Sequence, residues 1–149
     1  RDLKKVANAL QESGSYSGAL DMDFRGFARI YEYMNSLGAR YRYACYLVMV
    51  TMDTISDQTM YMESIEQALD CMEKSIRQKI RKVDICTRYS AMQYLIILFE
   101  PEESQIPKVM ERIFMQYYKM YEKNDFKPGY EYIPMLGQKN DIPDGNSKI

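Results

Sequence analysis

Arg81 and Asp84 stand three residues apart where a helical pattern ends. Lys74, Arg77 and Arg81 fall at i, i+3 and i+7, so one helical face gathers three cations just ahead of an acid. Cations suit a helix C-terminus, where the macrodipole is negative, and an Asp opening the next segment can pair with them without any ligand. Asp21 and Asp23 have one residue between them, a spacing that suggests a cation site, yet a helix N-terminus accounts for both. Cys45, Cys71 and Cys86 lack CxxC spacing and sit in apolar segments, which reads as buried, reduced thiols rather than metal or redox chemistry. The chain has no His, which excludes imidazole catalysis and His-ligated metals. Tyr41-Arg42-Tyr43, in a chain of 14 Tyr, interleaves aromatic and basic groups as single-strand binders do. A formal net charge of -1 argues against that use, and most tyrosines fall on helix stripes or strand faces, where they pack.

The elements that must position these groups follow from periodicity. With 149 residues, 46% hydrophobic and 28% charged, the chain is expected to form one globular domain. Its longest apolar run, Ala44 to Met52, is far short of a membrane span. Arg1 to Glu12 reads as a short helix with Leu3, Val6 and Leu10 on one face, broken by Ser13-Gly14-Ser15. Phe24, Phe27, Tyr31 and Met34 mark an amphipathic helix with Asp23 as N-cap and Gly38 near its end. Tyr43 to Met52, apolar on both faces, predicts a central strand, and Thr54 to Thr59 a polar connection. Ile65, Leu69, Met72, Ile76 and Ile80 predict a helix over about Met62 to Arg81, with Glu66, Glu73, Lys74 and Arg77 outside its stripe. Pro107 sits near the start of another helix, whose stripe is Val109 or Met110, Ile113, Tyr117 and Met120 and which Asn124 ends. The 12 Met are mostly stripe residues. Tyr130 to Ile133 reads as the last strand, and the tail from Gly137 to Ile149 lacks periodicity. The expected division is 1–17 as an N-terminal helix or linker, 18–136 as the domain and 137–149 as a loosely ordered tail. Beginning at Arg1 rather than Met, the sequence reads as a piece of something longer.

Between the last two helices, Ile85 to Tyr89 and Tyr94 to Phe99 predict a β-hairpin whose second strand is buried. Its turn lacks turn chemistry, because Ser90 and Ala91 stand where a short hairpin favours Gly or Asn. The order of elements gives an α+β, ferredoxin-like βαββαβ fold with a mixed central sheet. This block, a long amphipathic helix followed by the hairpin, resembles the diguanylate cyclase domain named for the GGDEF signature on that hairpin. The resemblance covers roughly Asp23 to Ile133 and is strongest from Glu66 to Phe99, with Ser90, Ala91, Met92, Gln93 and Tyr94 at the signature positions.

In that family an Asp at the end of the first strand and an acidic signature residue hold magnesium against GTP. The matching positions here are Thr51 and Met92, with Asp53 nearby, and a hydroxyl and a thioether are poor substitutes for carboxylates. The resemblance therefore implies a degenerate, catalytically inactive regulatory domain of a bacterial signalling protein that is not an enzyme. No cofactor and no metal are expected. Arg81-Lys82-Val83-Asp84 sits at the offset from the hairpin where diguanylate cyclases carry their product-inhibition site. By resemblance Arg81 would fork onto guanine or phosphate of cyclic di-GMP and Asp84 would accept from guanine N–H groups, with Arg77 or Lys74 assisting. Two roles follow: a protein-interaction and signal-relay module, pairing with other domains of a larger protein or with itself as a homodimer, or a cyclic di-GMP receptor. Neither nucleic-acid binding nor membrane insertion is expected, and the expected compartment is the cytoplasm.

Overall fold

A computed structural model describes residues 2–13, 20–21, 23–41, 44–55 and 62–135. In chain order these form α1 (Asp2–Ser13), β1 (Leu20–Asp21), α2 (Phe24–Tyr41), β2 (Cys45–Thr54) and α3 (Met62–Lys79). Then come β3 (Ile85–Ser90), β4 (Gln93–Phe99), a 3-10 turn at Glu103–Gln105, α4 (Ile106–Met120) and β5 (Phe126–Met135). The sheet runs β1-β3-β4-β2-β5, with β1 parallel to β3 and every other pairing antiparallel. The four long strands have the ferredoxin-like order, and the two-residue β1 makes the sheet mixed.

Side-chain alternation divides the core between two layers. Val48, Val50 and Met52 of β2, with Tyr94, Ile96 and Leu98 of β4, face α3 and α4. Leu95 and Ile97 of β4 face the other way, where Phe27, Ile30 and Met34 of α2 cover them. Both faces of β4 are covered, which is why its sequence is apolar without alternation. The expected stripe of α3 is on the core side, with Leu69, Met72, Ile76 and Ile80 buried, and Asp23 caps α2 by accepting the Gly26 N–H at 2.8 Å.

Several boundaries depart from the expected ones. β2 begins at Cys45, and Tyr43 lies outside the described residues. α2 runs through Gly38 to Tyr41, and α4 ends at Met120, before Asn124. α3 ends at Lys79, so the turn carrying Arg81 lies beyond the helix. β5 is much longer than Tyr130 to Ile133 and contains Pro128 and Pro134. It is an edge strand, where proline's missing N–H can face outward without breaking a ladder bond. β1 had no signal in two residues. The expected tail from Gly137, most of the Thr54 to Thr59 connection and the break at Gly14-Ser15 lie outside the described residues.

The α4 end of the core carries a polar cost. Tyr117 is fully buried and stacks on Tyr121 at 5.8 Å, but its hydroxyl has no hydrogen-bond partner among the described residues. Burial pushes the Tyr117 phenol far up. Tyr121, whose hydroxyl donates to Asp125 Oδ2 at 2.6 Å, is pushed up to about 12 by burial and then by that carboxylate. Folding therefore favours the neutral phenols. Their contribution is complete below the unfolded tyrosine value near 10 and is lost as pH rises from there through about 12. The melting temperature should fall steeply over that interval, and Tyr121→Phe should flatten the fall. Tyr117→Phe, which removes an unpaired buried hydroxyl at constant shape, should raise stability by about 1 kcal/mol in denaturant unfolding at pH 7. A loss of stability there would show that the hydroxyl is satisfied.

Candidate functional site

The β3–β4 hairpin forms without the residues a tight turn usually requires. The two-residue loop Ala91-Met92 has no positive φ, since Glu100 (φ 49°) is the one non-glycine residue of that kind among the described residues. An ordinary turn would splay the strands, but a β-bulge between Arg88 and Ser90 adds local twist. Arg88 then ties the loop to itself, its guanidinium donating to the carbonyls of Ser90 (3.3 Å) and Ala91 (2.9 Å). Ser90 Oγ donates to Gln93 Oε1 at 2.9 Å.

Pairing between β2 and β4 puts Thr51 opposite Gln93, and the Met52 N–H donates to the Met92 carbonyl at 2.9 Å. The two positions singled out for a cation, Thr51 and Met92, are thus brought to the same corner. The Gln93 amide donates to Thr51 Oγ1 and Met49 Sδ, both at 3.3 Å. The donors near this corner are one hydroxyl already in a hydrogen bond, thioethers and an amide. That set does not fit magnesium, which demands charged, hard oxygen in near-octahedral geometry. Asp53 is exposed one pleat further on, opposite Lys127 of β5, and among the described residues no three acidic or thiol side chains converge into a cation cage.

Beside the hairpin turn lies a cleft of about 540 Å³, walled by α3. Ile65 and Leu69 of α3, with Ala91 and Met92 of the turn, make it apolar, and Met62 stands at its mouth. Glu66, Asp70 and Glu73, at i, i+4 and i+7, line the α3 side, and Arg88 lies across from them. Asp70 also pairs with Lys74 at 3.0 Å, which raises the Lys74 pKa through that hydrogen bond. The width of the cleft is fixed from within by Tyr94, whose buried hydroxyl donates to the Leu69 carbonyl at 2.7 Å.

At the other end of α3, Arg81-Lys82-Val83-Asp84 is a tight turn, closed by the Asp84 N–H donating to the Arg81 carbonyl at 2.9 Å. Asp84 is 1% exposed and both of its oxygens are engaged. Oδ2 accepts the Arg81 backbone N–H (2.8 Å) and Nε (3.2 Å), while Oδ1 accepts Nη2 (3.2 Å) and the Phe99 N–H (2.9 Å). Arg81 Nη2 also donates to the Phe99 carbonyl. The motif thus ties the end of α3 to the end of β4. A smaller cavity of about 230 Å³ opens beside it, with Lys79, Arg81 and Arg112 as its cations. Arg77 and Lys74, expected to assist Arg81, do not line that cavity.

Sequence reasoning missed Arg88, Lys79, Arg112 and the Tyr94 hydroxyl. The spacing of Glu66, Asp70 and Glu73 opposite the apolar stripe was a signal available for the cleft.

No family model matches the chain, and no curated protein matches it. Solved structures do. A diguanylate cyclase (DGC) protein from Thermotoga maritima superposes with a TM-score of 0.63 at 14% identity, covering 83% of this chain and 89% of that one. The active GGEEF domain of a diguanylate cyclase from Vibrio cholerae gives 0.67 at 15% identity, covering 83% and 81%. Diguanylate cyclase SiaD from Pseudomonas aeruginosa, in complex with its activator SiaC, gives 0.65 at 12% identity, covering 93% of this chain and 57% of that one. At these identities the likeness establishes the fold. It also corrects one expectation: the exclusion of enzyme activity does not stand, because the chain shares its fold with diguanylate cyclase domains, one of them described as active. No helix among the described residues is long and apolar enough to cross a membrane.

The Asp84 geometry makes a specific ordering of stabilities. Asp84→Ala strands the buried N–H of Phe99 and breaks the turn, and should cost on the order of 3 kcal/mol in urea unfolding. Arg81→Ala removes a half-exposed partner and should cost about 1 kcal/mol or less. Equal losses would show that the junction is not built on the carboxylate.

Proposed function

We propose that this chain is a diguanylate-cyclase-like domain with a degenerate signature that relays signals within a larger regulatory protein by docking a protein partner at the cleft between α3 and the hairpin. The observation that carries this reading is the self-saturation of the hairpin. Arg88, the cation nearest the cleft, directs its donors at its own turn, and the Thr51 hydroxyl is held by Gln93. Ser90 and Ala91 put side chains where the family signature has glycines. What the hairpin leaves open is the cleft beside it, of a size at which ligand sites are common. SiaD, crystallised with its activator, supports protein docking as a use of this fold.

A second reading, cyclic di-GMP held through Arg81 and Asp84, draws support from the cations Lys79, Arg81 and Arg112 around the smaller cavity. It is the weaker of the two, since every acceptor it needs from Asp84 is engaged within the protein.

Photo-crosslinking in the native host tests the relay reading. Benzoylphenylalanine in place of Met62, at the cleft mouth, should give a protein adduct identifiable by mass spectrometry, and the same group in place of Tyr33, exposed on α2, should not. Adducts from Tyr33 alone, or from neither position, would overturn it. Calorimetry with cyclic di-GMP separates the second reading: the relay reading expects no heat, whereas heat abolished by Arg81→Ala in a folded variant would favour the nucleotide.

A further inference from the structure

The cleft beside the hairpin combines two features that restrict its occupant. Its floor is apolar, from Ile65, Leu69 and Met92, and Met62 and Met92 contribute unbranched thioether chains that adapt to irregular partners. Its α3 side carries Glu66, Asp70 and Glu73, three carboxylates against the single guanidinium of Arg88, whose donors are spent on the turn. Lys74 shares Asp70, so Glu66 and Glu73 mark the two ends of the acidic row, about 10 Å apart along the axis. A polyphosphate would meet like charge within a screening length. A neutral apolar ligand would leave the carboxylates unused. A segment with cations on one side and an apolar anchor on the other satisfies both surfaces.

We infer that the cleft takes a short amphipathic segment of a partner protein, in which Lys or Arg lies one helical turn from a Leu, Ile, Met or Phe that enters between α3 and Met92. This rests on the relay reading above and gives the partner its chemistry. The apolar anchor supplies affinity and the acidic row supplies register, as in helix-in-groove recognition.

Selection from a random 12-residue peptide display library on the intact, immobilised chain tests it. Enriched peptides should be basic, with Lys or Arg three or four residues from an apolar side chain. Fluorescence anisotropy on the most enriched peptide should then show affinity falling roughly tenfold in Glu66→Lys/Glu73→Lys. Glu102→Lys, beside the other cavity, should leave affinity unchanged. Acidic or uncharged consensus peptides, no enrichment over bare support, affinity indifferent to the double reversal, or equal competition by spermidine would each overturn the inference. A Met62 adduct to a partner that lacks such a segment would sink this inference and leave the relay reading standing.

Discussion

The pairing of β2 with both β4 and β5 is the constraint on which the rest depends. Seven residues of β2 find partners on β4, and ten on β5. Because Val48, Val50 and Met52 must face the larger core, a slip of one residue would turn them outward and is excluded energetically. That fixed register is what sets Thr51 against Gln93 and holds the hairpin turn beside α3. The cleft exists because Tyr94, the first buried residue of β4, reaches the Leu69 carbonyl from a strand that cannot slide.

The Asp84 junction illustrates how a functional motif and a structural one can share residues. An Arg and an Asp three apart are the ends of one tight turn, so their approach needs no ligand. Here the carboxylate also satisfies the last N–H of β4, a group that would otherwise be orphaned at the strand end. The neighbouring Glu100, in a left-handed conformation, donates its N–H to the Ala44 carbonyl, so both sides of the β2–β4 end are tied down. Arg81 is half exposed while its partner is buried, an asymmetry suited to fastening the fold and ill suited to presenting a guanine-reading carboxylate.

Much of this was legible in the sequence, for physical reasons that differ by element. The stripe from Ile65 to Ile80 and the continuous apolar β4 were clear because burial on one helix face, or on both sheet faces, leaves a strong periodic signature. The hairpin was placed correctly although its turn chemistry was wrong, since the missing glycine is compensated by a bulge and by Arg88, neither of which has a local pattern. β5 was read too short because Pro128 and Pro134 ordinarily argue against a strand, and edge position is a tertiary fact. The expected partners of Arg81 were wrong for a related reason: helical spacing grouped Lys74 and Arg77 with it, but α3 stops at Lys79 and Arg81 turns toward Phe99. The resemblance located the corner shared by Thr51 and Met92 but could not exclude enzyme activity, which belongs to the site and not to the fold.

The central claim is that the hairpin corner is satisfied by its own hydrogen bonds and does not hold a divalent cation. Titration of the ¹⁵N-labelled protein with Mn²⁺, in the presence and absence of GTP, addresses it directly, because a paramagnetic ion broadens the amide signals around wherever it binds. The expected result is weak, scattered broadening at exposed carboxylates, with Thr51, Met92 and Gln93 no more affected than the rest of β2 and β4. Saturable broadening centred on Thr51, Met92 and Asp53, strengthened by GTP, would contradict the claim.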